Sequence, residues 1–227
     1  MTVELVALGR PTSPPHNTGR PKSYRHMLLK RIFDVFASSI LIVALLPLML
    51  VVAAMISFQD GRPILFGHRR IGHNGKTFRC WKFRTMVRDA DAQLTQLLDS
   101  DPAARAEWDD VQKLKDDPRI IPGIGHFLRR SSLDEMPQLF NVLCGEMSMV
   151  GPRPIVLDEL ERYGNFQSHY MSVRPGLTGP WQVGERSDGD YEARVRKDVS
   201  YVENWSFAQD VRIIFKTVSV PFKGGAY

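Results

Sequence analysis

The sequence predicts an α+β chain, mainly helical, built from an N-terminal membrane helix, a small β-hairpin and a following set of helices and loops. Residues 35–59 carry no charged side chain, and Asn74-Gly75 sits between two runs of strand-forming residues. Everything after the hairpin reads as helix or loop, without the strand–helix alternation that a parallel sheet requires. A chain of 227 residues, 43% apolar and 24% charged, can bury a core and does not have the composition of a disordered tail.

The net charge of +5 is unevenly spread: residues 1–84 hold 13 Lys/Arg against 3 acids, and residues 85–227 hold 17 against 22. A basic front half points to an anionic surface or a phosphate partner. Cys80 and Cys144 are too few for a disulfide scaffold and lack metal-ligand spacing, in keeping with a reducing compartment.

Residues 1–26, rich in Pro, Thr, Ser and basic side chains, read as a mobile tail. Residues 27–60 form the membrane segment. As a helix, its charge-free part measures roughly 38 Å, against roughly 30 Å of bilayer hydrocarbon. It begins too late, is too long and lacks the cleavage site for a signal peptide. Lys and Arg flank it on both sides, so a straight crossing has no preferred orientation. Pro47, at its midpoint, cannot donate to the carbonyl of Val43 and favours a bend there. A kinked single span and a helix that enters, bends and returns both satisfy these facts. Residues 61–227 then form one domain at the membrane surface.

Within that domain, residues 64–73 and 76–83 form the hairpin, with Asn74-Gly75 suited to a type I′ turn. Residues 86–116 have helical spacing and are divided at Pro102. A helix runs from Asp134 to Cys144, MVGPRP and VRPGLTGPWQVGER are loops, and residues 207–220 form an amphipathic helix, packed on the core or lying in the membrane plane. The P-loop, the Rossmann glycine turn, the GxSxG elbow and HExxH are all absent from the sequence.

The densest chemistry lies in residues 117–154, DPRIIPGIGHFLRRSSLDEMPQLFNVLCGEMSMVGPRP. Ser132-Leu133-Asp134-Glu135 matches a capping box. With Ser132 as the cap, however, Pro137 would have to supply an N–H that it lacks. The helix therefore starts nearer Asp134, beside free backbone N–H groups that keep its carboxylate ionised and able to bind a hard cation or act as a nucleophile. On the residues alone, capping remains the simpler reading. Arg129 and Arg130 precede the acid pair, and Arg153 follows between two prolines. Guanidinium groups grip phosphate oxygens in pairs, so this arrangement on a membrane-bound chain fits phosphoryl transfer near the headgroups. Lys82 and Arg84 would meet lipid headgroups or nucleotide phosphates, lipid being the nearer partner. His68 and His73 are poorly spaced for a metal pair.

These motifs, with KRIFDVFAS before the apolar run, RRIGHNGKTF and KFRTM in the hairpin, and VRPGLTGPWQV and YVENWS near the end, closely resemble those of the bacterial sugar transferases. These are the monotopic phosphoglycosyl transferases, and the chain is most similar to members that initiate exopolysaccharide repeat units with galactose or glucose 1-phosphate. The resemblance runs from about Lys30 to the C-terminus. It implies a re-entrant membrane helix broken at Pro47, on the cytoplasmic face of a bacterial inner membrane. It implies transfer of a hexose 1-phosphate from a UDP-sugar to polyprenyl (undecaprenyl) phosphate, through an aspartyl intermediate on Asp134 with Glu135 as its partner. Mg²⁺ at Asp134, with Arg129 and Arg153 in the phosphate-binding positions, belongs to the same pattern. Membrane lipid is a further implied partner, a homodimer is compatible, and nucleic acid is not expected.

The sequence departs from the family at Leu46, where a serine usually precedes the bend proline. It departs again at Pro180 in TGPWQV and at Gly184, Glu185 and Arg186, which stand for SGR. Two rival readings use the same basic front half. A non-catalytic membrane adapter of a polysaccharide assembly complex needs no acid pair. A membrane-anchored nucleic-acid binder ranks last, for want of a reading helix or a stacking motif.

Overall fold

The apolar run folds as one uninterrupted helix, α1 (Tyr24–Asp60), with Pro47 inside it. The computed structural model describes residues 24–111, 114–184 and 191–219, so most of the expected tail lies outside the described residues. The bend expected at Pro47 does not interrupt the helix. One face of α1 buries Asp34, Ser38, Met49, Val52 and Ile56, and the other exposes Ile32, Phe36, Ile40, Val43, Leu50, Val51 and Phe58. Steps of three and four residues along one face define such a stripe. Phe58 is 92% exposed, and a continuous apolar surface of this extent suits hydrocarbon better than water. By length and composition, α1 can cross a membrane.

Two cores lie under the buried stripe. Phe33, Ala37, Leu41 and Ile42 rest on a cluster that includes Phe78, Val142, Met147, Val150, Tyr201 and Ile213. Met49, Val52 and Ile56 join Phe83, Ile121, Ile124, Leu128 and Met136 in a second. Polar contacts fasten both ends. Lys30 Nζ lies 2.6 Å from Asp210 Oδ2 and donates to the Val150 carbonyl at 3.0 Å. Arg31 donates to the carbonyls of Val142 and Leu143, and Asp34 accepts from the Ser148 hydroxyl and the Met149 N–H. At the other end Gln59 donates to the Pro122 carbonyl. Arg84 grips the Asp60 carboxylate together with the carbonyls of Asp60, Gly61, Pro63 and Met86.

The hairpin pairs β1 (Leu65–Ile71) with β2 (Thr77–Phe83), antiparallel, from Leu65↔Phe83 to Ile71↔Thr77. Its turn is a short 3₁₀ segment in which Asn74 (φ 58°) and Gly75 (φ 72°) both adopt positive φ, the conformation that favours Asn-Gly. Next come α2 (Ala90–Ser100) and α3 (Pro102–Val111), divided at Pro102 as expected. Pro102 opens α3, where its missing N–H does no harm, and Asp101 accepts from the N–H groups of Ala103 and Ala104.

The helix expected from Asp134 to Cys144 is divided. After α4 (Ile124–Ser131), Ser132 takes a left-handed conformation (φ 57°) that ends the helix, and its side chain makes no cap. Leu133–Glu135 is a separate 3₁₀ turn, and α5 (Gln138–Cys144) begins only after Pro137. Proline lacks the N–H that a continuous helix would need and is tolerated at its start.

MVGPRP and VRPGLTGP are not wholly loops. Each contributes one strand of a short parallel pair, β3 (Ser148–Val150) and β4 (Gly176–Thr178). Three-residue strands leave no alternation to read, and glycine makes the pairing possible. A Cβ at Gly176 would stand 2.1 Å from the Gly151 nitrogen, and one at Gly179 2.0 Å from the Gly151 carbonyl oxygen. The remaining helices are α6 (Leu157–Glu161), α7 (Gln167–Met171), α8 (Tyr191–Glu203) and α9 (Phe207–Ser219). α9 packs inward through Asp210 and Ile213 and exposes Phe207 and Phe215. Both cysteines are free, and burial pushes the Cys80 thiol up to about 11, which leaves it inert.

A third core gathers Ile71, Ile155, Leu160, Tyr163, Tyr170, Val195 and Val199. Beside it Asp198, 1% exposed, accepts the Tyr163 hydroxyl at 2.7 Å, while its second oxygen has no partner among the described residues. Burial pushes this carboxyl up to about 6. Between pH 4 and 6 the folded chain therefore keeps a proton that the unfolded chain has released, and stability falls as pH rises through this window. Asp198→Asn removes the titration. Its thermal midpoint in detergent, relative to the parent, should rise between pH 4 and 7 by the equivalent of about 2 kcal/mol.

Candidate active site

Lys82 is aimed by the strand that carries it. β2 has one edge paired to β1, and on the other a side chain replaces the missing strand. The Trp81 N–H donates to Asn141 Oδ1 at 3.0 Å, and Asn141 Nδ2 donates to the Arg79 carbonyl at 2.7 Å. Asn141 sits on α5, so β2 and the segment before α5 are held face to face. Across that gap Lys82 Nζ donates to Glu135 Oε1 at 2.7 Å and stands 3.7 Å from Asp134 Oδ2.

Asp134 is 9% exposed. Burial pushes its carboxyl up to about 6; the charges of Lys82 and Arg129 and its own N–H pull against that, and Glu135 adds to it. The expectation of a carboxylate held ionised by helix N–H groups is thus corrected. Asp134 precedes α5, and cationic side chains do most of the work of keeping it charged near neutral pH. Burial alone would lower the pKa of Lys82, but Glu135 and Asp134 outweigh it and hold the ammonium above its ordinary value.

The two arginines arrive on separate supports. Arg129 comes from the last turn of α4, and its Nε donates to Thr85 Oγ1 at 3.0 Å. Arg153, exposed, rides a strap between β3 and Ile155. Pro152 accepts from the Gly176 N–H, Gly151 donates to Thr178, and Ile71 donates to Ile155. The Tyr170 hydroxyl closes the last join by accepting from the Ile155 N–H and donating to the Ile71 carbonyl. Arg70 donates to the Pro154 carbonyl at 3.4 Å. Arg153 is near enough for its charge to press on Lys82. Asp134, Glu135 and Lys82 therefore meet, the charge of Arg129 is felt at Asp134 and that of Arg153 at Lys82, whereas Pro47 belongs to α1.

Other expectations shift. Lys82 faces the acid pair rather than lipid, and Arg84 is a buried clamp on the end of α1. Asp117 is held by Arg119 in a two-pronged pair at 2.8 and 2.7 Å, which fixes the segment leading into α4. Among the described residues no group of three or more His, Cys, Asp or Glu is placed to hold a metal. Glu185 and Arg186 lie outside the described residues.

A family model described as bacterial sugar transferase matches residues 25–224. The chain belongs to that family. It is 50% identical over 199 residues to the exopolysaccharide production protein ExoY of Sinorhizobium fredii, covering 87% of this chain and 88% of that one. It is equally identical over 200 residues to the undecaprenyl-phosphate galactose phosphotransferase of Salmonella typhimurium, covering 88% of this chain and 42% of that protein. Identity to the UDP-glucose:undecaprenyl-phosphate glucose-1-phosphate transferase of Escherichia coli is 36% over 225 residues, 95% of this chain and 44% of the relative. The chain thus spans less than half the length of these two transferases. The site of this sugar transferase also depends on Thr85, Asn141 and Tyr170, none of which a local sequence pattern marks as functional. Each acts through a contact between segments far apart in the chain; only the KFRTM motif marked the neighbourhood of Thr85.

Lys82→Met should lower sugar-phosphate transfer at least about tenfold, with little change in thermal midpoint because the ammonium is partly exposed. Lys82→Arg should fall between the two; turnover assays and thermal unfolding in detergent check both.

Proposed function

We propose that this chain transfers a hexose 1-phosphate from a UDP-hexose to undecaprenyl phosphate and so starts an exopolysaccharide repeat unit. The observation that carries this reading is a buried carboxylate, Asp134, paired with Glu135 and faced by Lys82 and Arg129. An Asp134 oxygen attacks the phosphorus that bears the sugar. The bond from that phosphorus to the bridging oxygen breaks, and UMP leaves with the electron pair. An oxygen of the polyprenyl phosphate then attacks the same phosphorus, the bond to Asp134 breaks, and the carboxylate is regenerated. Lys82, Arg129 and Arg153 offset the negative charge that gathers at the phosphates, and Glu135 keeps Lys82 in place. The galactose-named relative is the more similar by identity, which makes UDP-galactose the first substrate to test.

The donor set fits a hard divalent cation. Asp134 and Glu135 offer carboxylate oxygens, and the Lys82 ammonium that bridges them shows that positive charge is favoured there. Asp134 would hold Mg²⁺, with substrate phosphates supplying further ligands, as suits a cation that often binds through one or two carboxylates. When bound, it supplies charge neutralisation at the diphosphate.

A re-entrant path for α1, at the cytoplasmic face of the inner membrane, is supported by its docking. Lys30 and Arg31 at one end, and Gln59 and Asp60 at the other, contact one and the same domain, so both ends belong on one side of a bilayer. In a Cys144→Ser background, cysteines at Met27 and Arg62, which flank the apolar run, should react with an impermeant maleimide from the same side of oriented membrane vesicles. Labelling from opposite sides would establish a crossing helix.

UMP release from UDP-galactose and UDP-glucose, with Mg²⁺ and undecaprenyl phosphate, tests the activity. Asp134→Asn should reduce it about a thousandfold or more, and labelled sugar phosphate should remain on the parent protein when the acceptor is withheld. An adapter would release no UMP and would be indifferent to the substitution.

A further inference from the structure

Thr85 is 8% exposed and lies just beyond β2, at the end of KFRT. Its backbone carbonyl accepts the Ile121 N–H at 2.9 Å, and Val87 N–H donates to Arg119, so the Asp117–Arg119 turn and the segment after β2 are stitched together. α4 is pressed against this join. A Cβ at Gly125 would stand 2.6 Å from the Thr85 carbonyl oxygen and 2.7 Å from Ile120 Cγ2, so only glycine permits the approach. One turn further along α4, Arg129 reaches back and donates Nε–H to the Thr85 hydroxyl at 3.0 Å. Among the described residues this is the one hydrogen bond of the Arg129 side chain. A guanidinium held at Nε presents its two terminal nitrogens together, the edge that matches a phosphate.

We propose that Thr85 is a positioning residue for the transfer reaction: its hydroxyl fixes the Arg129 guanidinium so that the outer edge grips a phosphate of the sugar nucleotide beside Asp134. This rests on the reading of Arg129 as a phosphate-binding residue, and goes beyond it by naming the group that aims it. Thr85 touches no substrate; it acts through Arg129 alone. The dependence is local, because the hydroxyl contact is separate from the backbone bond that holds the segment.

Thr85→Val keeps the side-chain shape and removes the acceptor, and Thr85→Ser keeps the acceptor. Thr85→Val should raise KM for the UDP-hexose about tenfold, as expected for a lost hydrogen bond to a charged group, with a smaller change in kcat. Thr85→Ser should stay within about twofold of the parent. The rise in thermal midpoint produced by UDP should shrink in Thr85→Val and persist in Thr85→Ser. In an Arg129→Gln background, Thr85→Val should have no further effect on KM. The proposal is overturned if Thr85→Val matches the parent while Arg129→Gln is impaired, or if its effect is undiminished in the Arg129→Gln background. An unchanged KM in Arg129→Gln itself overturns the phosphate reading of Arg129, and the proposal with it. Should Thr85→Val fail to fold, Thr85→Ala takes the same series of measurements.

Discussion

Asp210 of α9 is wholly buried and accepts from Lys30 of α1, the Tyr201 hydroxyl and the Trp205 indole. A buried carboxylate left without these partners would cost several kcal/mol, so the group of four must assemble together. It also fixes which face of α1 looks inward. Rotating α1 by a single residue, about 100°, would take Lys30 off Asp210 and lift Asp34 away from Ser148 and Met149. An apolar helix has little side-chain chemistry with which to choose a register against its own domain. Here the charged residues at its start make the choice, and the Leu, Ile and Met residues that follow fall into line over two cores. The motif YVENWS thereby acquires a physical meaning, because its tyrosine and tryptophan both serve the carboxylate that receives α1.

The candidate site solves a related problem with the opposite sign. Asp134 is nearly buried, yet it lies among charges that favour its ionised form. Burial pushes its carboxyl up, and the nearby cations counter that without forming a closed pair with it. Lys82 is nearer to Glu135 than to Asp134, and Arg129 is tied to Thr85. Asp134 is therefore left with electrostatic support and without a tight hydrogen-bonded side-chain partner among the described residues.

Much of this could be read from the chain. The charge-free run, the Asn-Gly turn and the break at Pro102 follow from local chemistry and appear where expected. Asp134, Glu135, Arg129 and Arg153 stood out because acids and arginines crowd one stretch of sequence. The separate 3₁₀ turn that carries Asp134 was less legible, since the capping-box pattern and Pro137 pointed to one helix, while the outcome hinged on Ser132 adopting a left-handed conformation. The β3–β4 pair was hidden because its strands are three residues long and its fit is set by backbone contacts among glycines. Asn141 and Tyr170 escaped for a different reason: each completes a hydrogen-bond ladder with residues 60 to 99 positions away, and no periodicity records such a partner.

Pro47 falls between the two cores that α1 covers. α4, which carries Arg129, is packed against Met49, Val52 and Ile56, and β3, which leads to Arg153, against the half that begins at Lys30. Arg129 and Arg153 are therefore mounted over opposite halves of the same helix. Any change in the course of α1 between those halves would change the span between the two arginines. α1 thus sets the spacing of the two sides of the site as well as anchoring the cores beneath it.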